Sequence, residues 1–228
     1  FAIYHGPAGI LKIANRTSSL AKLFGDEIKN GGFKILSDHY FDTVTIKTNE
    51  KTETILKKAY EEKINLRKVD NEKISVAFDE AKKLNDVNVL LKIFGISKNL
   101  GQKTKVQLNN LPNTLLRSSK YLTHPVFNKY HSETEMLRYL KKLEDCDIAL
   151  NRSMIALGSC TMKLNAAAEL IPITWKEFSL PHPFVPINQM EGYQLLFKDL
   201  INDLKEITGF DAVSLQPNSG AQGEYAGL

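Results

Sequence analysis

The sequence is poor in cysteine, with only Cys146 and Cys160 among 228 residues. Two cysteines do not make a disulfide framework, and this pair does not follow a zinc-ligand pattern. The five histidines also lack the spacing of metal ligands. No metal site is therefore predicted, and the cysteine usage is typical of a reducing compartment.

Long apolar runs and an excess of one charge are missing as well. No apolar run approaches the ~18 residues that a membrane-spanning helix needs, so no membrane partner is expected. Lys and Arg number 30 against 26 Asp and Glu, a net charge of +4, and the two signs are interspersed. Because no basic stripe with interleaved aromatic residues appears, nucleic acid is not an expected partner.

The composition that remains is ordinary for a globular protein, with 43% hydrophobic and 25% charged residues. The first hundred residues alternate between helical and strand periodicity. The predicted elements are a helix from Pro7 to the glycines at 31–32, strands at 33–36 and 43–46, a helix at 51–62, a strand at 74–78 and a helix capped by Asn85 that ends at Gly95. This order predicts an α+β domain with helices on one face of a mostly antiparallel sheet.

The rest of the chain begins with a polar, aperiodic segment at 97–113, which is predicted to be an exposed linker. A capping box of Ser132 and Glu135 then indicates a helix start. Residues 151–186 are rich in proline and should be irregular. Apolar residues at helical spacing predict a further helix over 191–208 that stops at Gly209.

The last fourteen residues carry the pattern of an anion-binding turn. Residues 212–215 suit a short buried strand, the small residues at 218–221 suit a turn, and a helix should begin at Ala221. Free backbone N–H groups at a helix N-terminus, together with the helix dipole, favour a phosphate. A tight connection between a strand and a helix, with no ligand, is the alternative for these residues alone.

Five segments of the second half occur in an order that identifies a family. They are Ser-Cys-Thr-Met-Lys-Leu-Asn at 159–165, Ile-Pro-Ile-Thr-Trp at 171–175, His-Pro-Phe at 182–184, Glu-Gly-Tyr at 191–193 and the stretch 216–228. Together they closely resemble the glycine cleavage system P-protein family, the pyridoxal-phosphate-dependent glycine dehydrogenases (decarboxylating). The resemblance is most specific over 127–228 and weaker upstream, at 4–7 and 41–43.

The resemblance implies an internal piece of a longer chain built from two homologous halves. Residues 1–96 would be the small C-terminal α+β domain of the first half, 97–113 a linker, and 114–228 a connecting segment and the start of the second, pyridoxal-phosphate-binding half. The implied fold is α/β, an incomplete fold-type-I transferase similar to aspartate aminotransferase. The parent protein would decarboxylate glycine with pyridoxal 5'-phosphate and pass the aminomethyl group to the lipoyl arm of H-protein.

The resemblance also implies partners and a location. Glycine, lipoylated H-protein and a second copy of the full-length chain are the expected partners. Residues 172–178 and 205–211 look closer to mitochondrial members, which favours the mitochondrial matrix, whereas a bacterial parent would act in the cytoplasm. A non-catalytic regulatory or pseudoenzyme module, and another fold-type-I decarboxylase or aminotransferase, remain as alternatives.

The candidate site residues fall into two groups. The phosphate cradle is predicted at Ser219, Gly220 and Ala221, with Asn218 and Gln222 as second choices. An active-site loop is implied for Ser159, Cys160, Thr161, Lys163, Asn165 and His182, although a satisfied polar turn would also explain the loop. The Schiff-base lysine of the family lies downstream of the turn, so no catalytic residue is expected in this chain and the chain by itself should be inactive.

Overall fold

The structure is a computed structural model that describes residues 1–101, 111–146, 149, 152 and 166–228. These residues form two compact units, Phe1–Leu143 and Glu144–Leu228. No helix in the described ranges is long and apolar enough to cross a membrane. The predicted division at 97–113 stays a prediction.

The first unit contains an antiparallel sheet and four helices within its described residues. In chain order the elements are α1 (Ala2–Asn30), β1 (Lys34–Ile35), β2 (Thr43–Lys47), α2 (Thr52–Glu61), β3 (Arg67–Asp70), β4 (Lys73–Ala77), α3 (Leu84–Ile93) and α4 (Glu133–Asp145), whose last residues pass into the second unit. The helices and strands predicted for residues 7–95 are confirmed, and β3 is a further strand that was not predicted. Its sequence, Arg-Lys-Val-Asp, lacks apolar alternation because all four residues are exposed.

The four strands lie in the order β1-β2-β4-β3, and every neighbouring pair is antiparallel. Alternation along β2 sends Val44 and Ile46 into the core, where they face Val76 and Ile74 of β4 across the ladder. The α1 helix contacts β1, β2 and α3. The chain is therefore an α/β protein with a small antiparallel sheet in this unit.

Aromatic rings fill the centre of that core. Phe24 of α1 is fully buried, and its ring centroid lies 5.5 Å from that of Phe78 and 5.7 Å from that of Phe94. Tilted and edge-on pairs at these distances add to the burial of apolar area. This cluster joins α1 to the end of β4 and to the end of α3.

A close approach between α1 and the loop before β2 leaves no room for a side chain at Gly25. A Cβ atom there would lie 2.0 Å from Oη of Tyr40 and 2.9 Å from its Cζ. Burial, with the nearby charge of Asp26 as a second cause, raises the pKa of Tyr40 to about 12. The phenol is therefore neutral and held against the helix backbone.

The α1 helix has a sharp kink at Gly6, where φ is 62° and ψ is 179°. Helical geometry resumes at Pro7, which confirms the predicted helix start. The kink is covered by a later part of the same unit: Nδ1 of His131 lies 2.8 Å from the carbonyl oxygen of Tyr4, and the Tyr121 hydroxyl donates to the Pro7 carbonyl at 2.6 Å. These contacts bind residues 121–131 to the start of α1.

The cap of α3 differs from the prediction. Asn85 lies inside the helix, and Lys83 is the N-cap residue. Asp86 takes the capping role because its Oδ2 accepts a hydrogen bond from the Lys83 backbone N–H at 2.7 Å. The predicted capping box of Ser132 and Glu135 is confirmed, since each side chain accepts a hydrogen bond from the other's backbone N–H.

The segment that follows α3 is not uniformly exposed as expected. Leu100 is buried in the core cluster. The Asn88 side chain accepts from the Leu100 N–H at 2.8 Å and donates to its carbonyl at 3.2 Å. Lys98 pairs with the buried carboxylate of Glu27 at 2.6 Å. Residues 98–100 are thus fixed to the first unit, and 102–110 lie outside the described residues.

The second unit consists of helices in its described part. They are α5 (Ala167–Leu170), α6 (Lys176–Ser179), α7 (Glu191–Thr208) and α8 (Gly220–Gly227), with short 3-10 turns at Ile171–Thr174 and Ile187–Gln189. The α7 bounds are those predicted, and Gly209 ends the helix in the left-handed conformation, with φ of 74°. The Tyr193 hydroxyl of α7 donates to the Phe178 carbonyl at 2.7 Å, which fixes α6 to α7.

The prediction of a strand at 212–215 is wrong. These residues adopt no regular secondary structure, and Leu215 is 37% exposed rather than buried. A strand takes its hydrogen bonds from a neighbouring strand. The described part of the second unit contains no strand that could supply them.

Candidate phosphate-binding turn

The candidate site is the turn that leads into α8, and Ser219 is the residue that begins the helix. Ser219 has extended backbone angles, φ −155° and ψ 165°, and its Oγ accepts a hydrogen bond from the Gln222 N–H at 3.3 Å. Its carbonyl accepts from the Gly223 N–H at 3.0 Å. This is the arrangement of an N-cap serine, which satisfies one of the free donors of the first turn. The prediction of a helix starting at this turn is confirmed.

Gln222 closes the turn from the other side. Its Oε1 accepts a hydrogen bond from the Asn218 N–H at 2.8 Å. The Ser219 and Gln222 side chains therefore hold the turn reciprocally, in a variant of the capping box in which the N–H taken belongs to the residue before the N-cap. The Ser-x-x-Gln spacing could have revealed this role, which the sequence analysis missed when it treated Gln222 as a ligand donor.

Three backbone donors remain at the turn after these bonds form. The N–H groups of Ser219, Gly220 and Ala221 have no acceptor within the part of the chain that the structure describes. The first turn of α8 also contains no acidic residue. Consecutive free N–H groups at a helix N-terminus favour an anion, and the helix dipole adds to the attraction.

Gly220 leaves the approach to these donors open. A Cβ atom built at Gly220 would meet nothing within 4 Å. The turn is exposed at Ser219, Gly220 and Ala221. The donor set and the open surface therefore fit a phosphate group, including the phosphate of the cofactor that the family resemblance implies.

His182 is the one described residue of the predicted active-site loop. Its side chain is exposed, and Nδ1 accepts a hydrogen bond from the Phe184 N–H at 3.0 Å. A neutral His182 must therefore carry its proton on Nε2, which leaves Nε2–H as a donor. The other members, Ser159, Cys160, Thr161, Lys163 and Asn165, lie outside the described residues and stay predictions.

A metal site has no support in the described ranges. No group of three or more His, Cys, Asp or Glu side chains comes close enough together to hold an ion there.

Comparison with known proteins gives one consistent result. Residues 1–94 match the family model described as the glycine cleavage system P-protein. Over its whole length the chain is 62% identical to the glycine dehydrogenase (decarboxylating) of Pelagibacter ubique, 51% identical to that of Vibrio parahaemolyticus and 50% identical to that of Photobacterium profundum.

The match covers all of this chain but 24% of each relative, so the chain spans about a quarter of the length of these curated relatives. The family model covers the sheet and the helices α1 to α3 within the first unit, and the pairwise alignments extend through the turn at 218–222. The chain is therefore similar to glycine cleavage system P-proteins over residues 1–94 and, over its whole length, to about a quarter of several glycine dehydrogenases (decarboxylating).

Proposed function

We propose that this chain is part of a glycine dehydrogenase (decarboxylating). The parent enzyme decarboxylates glycine with pyridoxal 5'-phosphate and transfers the aminomethyl group to the lipoyl arm of H-protein, in glycine catabolism. The observation that carries the proposal is 62% identity, over every residue of the chain, to a relative with that printed name. The alignment extends across both structural units.

The proposed organisation follows from the same relationship. Residues 1–96 form the small C-terminal domain of the first half, 97–113 a linker, and 114–228 a connecting segment and the start of the second half. The complete protein has the fold-type-I architecture of the aspartate aminotransferase group. The four-stranded antiparallel sheet with α1 against it supports a small α+β domain in the first of these regions.

The turn before α8 is proposed to hold the cofactor phosphate. The N–H groups of Ser219, Gly220 and Ala221 would donate to it, while Asn218 and Gln222 hold the turn in shape through their mutual hydrogen bond. When bound, pyridoxal phosphate supplies the electron sink that stabilises the carbanion left by loss of CO₂. This chain's own contribution is to bind and orient the cofactor through its phosphate.

His182 and the segment at 159–165 are proposed to line the entrance to the active site. The Phe184 N–H fixes the His182 tautomer, so Nε2–H could donate to an anionic group of a substrate. The lysine that holds the cofactor aldehyde is expected downstream of the turn, outside this sequence. The proposed partners are glycine, lipoylated H-protein and a second copy of the full-length chain.

The compared relatives are bacterial, and this favours the cytoplasm over the mitochondrial matrix as the proposed location. A non-catalytic module of the same fold is the alternative function. The two differ in one testable property, because only the enzyme forms a covalent link from a lysine to the cofactor.

The phosphate site can be tested in the full-length protein by titrating the apo-enzyme with pyridoxal phosphate. Gly220→Val should weaken binding by more than a hundredfold, because its side chain obstructs the exposed N–H groups. The Ser219 hydroxyl would be an added donor to the phosphate, so Ser219→Ala should weaken binding by roughly tenfold to a hundredfold, the effect of losing one hydrogen bond to a charged group. The backbone N–H groups of the phosphate cradle remain in Ser219→Ala, so this variant should lose less affinity than Gly220→Val.

A matched control is Gly192→Ala in α7, where an added Cβ also meets nothing within 4 Å. Its dissociation constant should equal that of the parent. Because the space beside Gly220 is equally open, Gly220→Val should keep the fold, and circular dichroism checks this. Equal dissociation constants for Gly220→Val and the parent would place the phosphate elsewhere.

A further inference from the structure

A groove with a volume of about 810 Å³ opens at one end of the sheet in the first unit, away from the phosphate-binding turn in sequence. It is bounded by the end of α1, the paired ends of β1 and β2, the 3-10 turn at Asn49–Lys51, and the tight turn between β3 and β4. Its charged lining consists of Lys34, Lys47, Lys51, Glu50 and Glu72. No role proposed above uses this groove.

Two lysines face each other directly across the ladder at the groove. Lys34 of β1 pairs in register with Lys47 of β2, so their side chains leave the same face of the sheet. Directly opposed like charges are destabilising, and the Cβ atoms of such a pair lie about 4.5 to 5.5 Å apart. A third lysine, Lys73 of β4, is the partner of Lys47 on the other side, but it is neutralised by Asp70 at 2.8 Å.

The groove's own carboxylates do not neutralise this pair. Glu72 lies 3.7 Å from Lys47, and that carboxylate is 61% exposed, so the interaction is weak. Lys34 has no carboxylate partner among the described residues, and the same holds for Lys51. The lining of the groove therefore contains three lysines and two glutamates, an excess of positive charge.

One wall of the groove, formed by Thr48, Asn49 and Glu72, is held by hydrogen bonds. The carbonyl of Glu72 accepts hydrogen bonds from the N–H groups of Thr48 at 2.7 Å and Asn49 at 3.1 Å. The hydroxyls of Thr48 and Thr52 are 2.6 Å apart. Asn49 adopts φ of 50°, the left-handed conformation that asparagine adopts more readily than most residues.

Lys51 is also held in place at this wall. Its ammonium group lies 5.3 Å from the centroid of the Phe33 ring, within the range of a cation–π interaction. Phe33 is partly buried against the core, so the ring is a fixed support. The Lys51 ammonium group, the third cation of the groove, is therefore held in position by the Phe33 ring.

We propose that this groove binds a compact oxyanion, a phosphate or a carboxylate group, between the ammonium groups of Lys34 and Lys47. One such group can accept hydrogen bonds from both lysines and would remove the repulsion between them. Lys51 contributes a further positive charge at the rim. The site is independent of the turn before α8, so its failure would leave the proposed function untouched.

The test uses the 228-residue chain, inorganic phosphate and succinate at constant ionic strength. Thermal unfolding should show a saturable rise in midpoint with one or both anions, and not with chloride. A rise in midpoint with phosphate but not succinate identifies a phosphate site, and a rise with succinate but not phosphate identifies a carboxylate site. The absence of a saturable rise with either anion overturns the proposal.

Lys34→Gln is the informative variant, and Lys57→Gln on the exposed face of α2 is the matched control. Without an anion, Lys34→Gln should unfold at a higher temperature than the parent, because the opposed charges are gone. Its affinity for the active anion should fall about tenfold or more, the effect of losing one charged hydrogen bond. Lys57→Gln should bind as the parent does. Parent-like anion binding by Lys34→Gln contradicts the assignment.

Discussion

Gly6→Ala should lower the free energy of unfolding of the first unit by about 3 kcal/mol. Gly6 has φ of 62° and ψ of 179°, a region that is essentially restricted to glycine and costs other residues about 1 to 3 kcal/mol. A Cβ atom would also lie 2.8 Å from the Phe127 carbonyl oxygen and 2.7 Å from Cε1 of His131. Since the first of these is a backbone atom, the segment that covers the kink must move away.

Gly32→Ala separates the two causes. Gly32 also has a positive φ, 85°, but an added Cβ would meet nothing within 4 Å. Its cost should be about 1 kcal/mol, from the backbone conformation alone. Urea unfolding of both variants measures the difference. If Gly6→Ala costs no more than Gly32→Ala, residues 121–131 do not pack on the kink as the structure has them.

Gly25→Ala should destabilise the same unit by about 1 to 3 kcal/mol, the usual range for overpacking a core. In an open helix this change would stabilise by roughly 0.5 to 1 kcal/mol, so the sign of the effect is diagnostic. The obstacle is Tyr40, whose Oη would lie 2.0 Å and Cζ 2.9 Å from the new methyl group. Both contacts are with the side chain of a buried tyrosine.

A double-mutant cycle with Tyr40→Phe tests this reason. Removing the hydroxyl relieves the 2.0 Å contact and leaves the 2.9 Å contact with the ring. About 1 kcal/mol of the loss should therefore be recovered in the double variant, as a coupling energy between neighbouring residues. Additive effects of the two substitutions would show that Tyr40 is not what excludes a side chain at Gly25.

Local patterns in the sequence predicted most helices because their signals lie within a few residues. The α7 helix and its left-handed stop at Gly209 follow from apolar spacing and one glycine. The strands in which apolar and polar residues alternate were also predictable. The β3 strand was not, because its four residues are exposed and its place in the sheet depends on pairing with β4.

Two of the predictions that the structure corrects have the same origin. Asn85 is a good capping residue by type, but the carboxylate of Asp86 reaches the Lys83 N–H and moves the helix start upstream. Residues 212–215 are apolar enough for a strand, yet a strand also needs a hydrogen-bonded neighbour. The residue types of a segment favour a structure, and the hydrogen-bond partners available in the fold determine whether it forms.

The position of the turn at the candidate site was predicted from the sequence, and its phosphate-binding role stays a prediction. The small residues at 218–221 located the turn, and the structure confirms the helix that begins there. The division of roles between the side chains and the backbone was not predicted. Ser219 and Gln222 hold the turn through hydrogen bonds, and they leave three backbone N–H groups available. That division depends on side-chain rotamers, which residue types alone do not determine.

The exchange of glycine carboxyl carbon with bicarbonate by the full-length protein tests the central claim most directly. With pyridoxal phosphate and lipoylated H-protein present, labelled bicarbonate should enter glycine at a rate that depends on both. The same reaction with the 228-residue chain alone should give no exchange. A full-length protein that is folded, binds pyridoxal phosphate and still exchanges no label would contradict the assignment as a glycine dehydrogenase and favour a non-catalytic module of the same family.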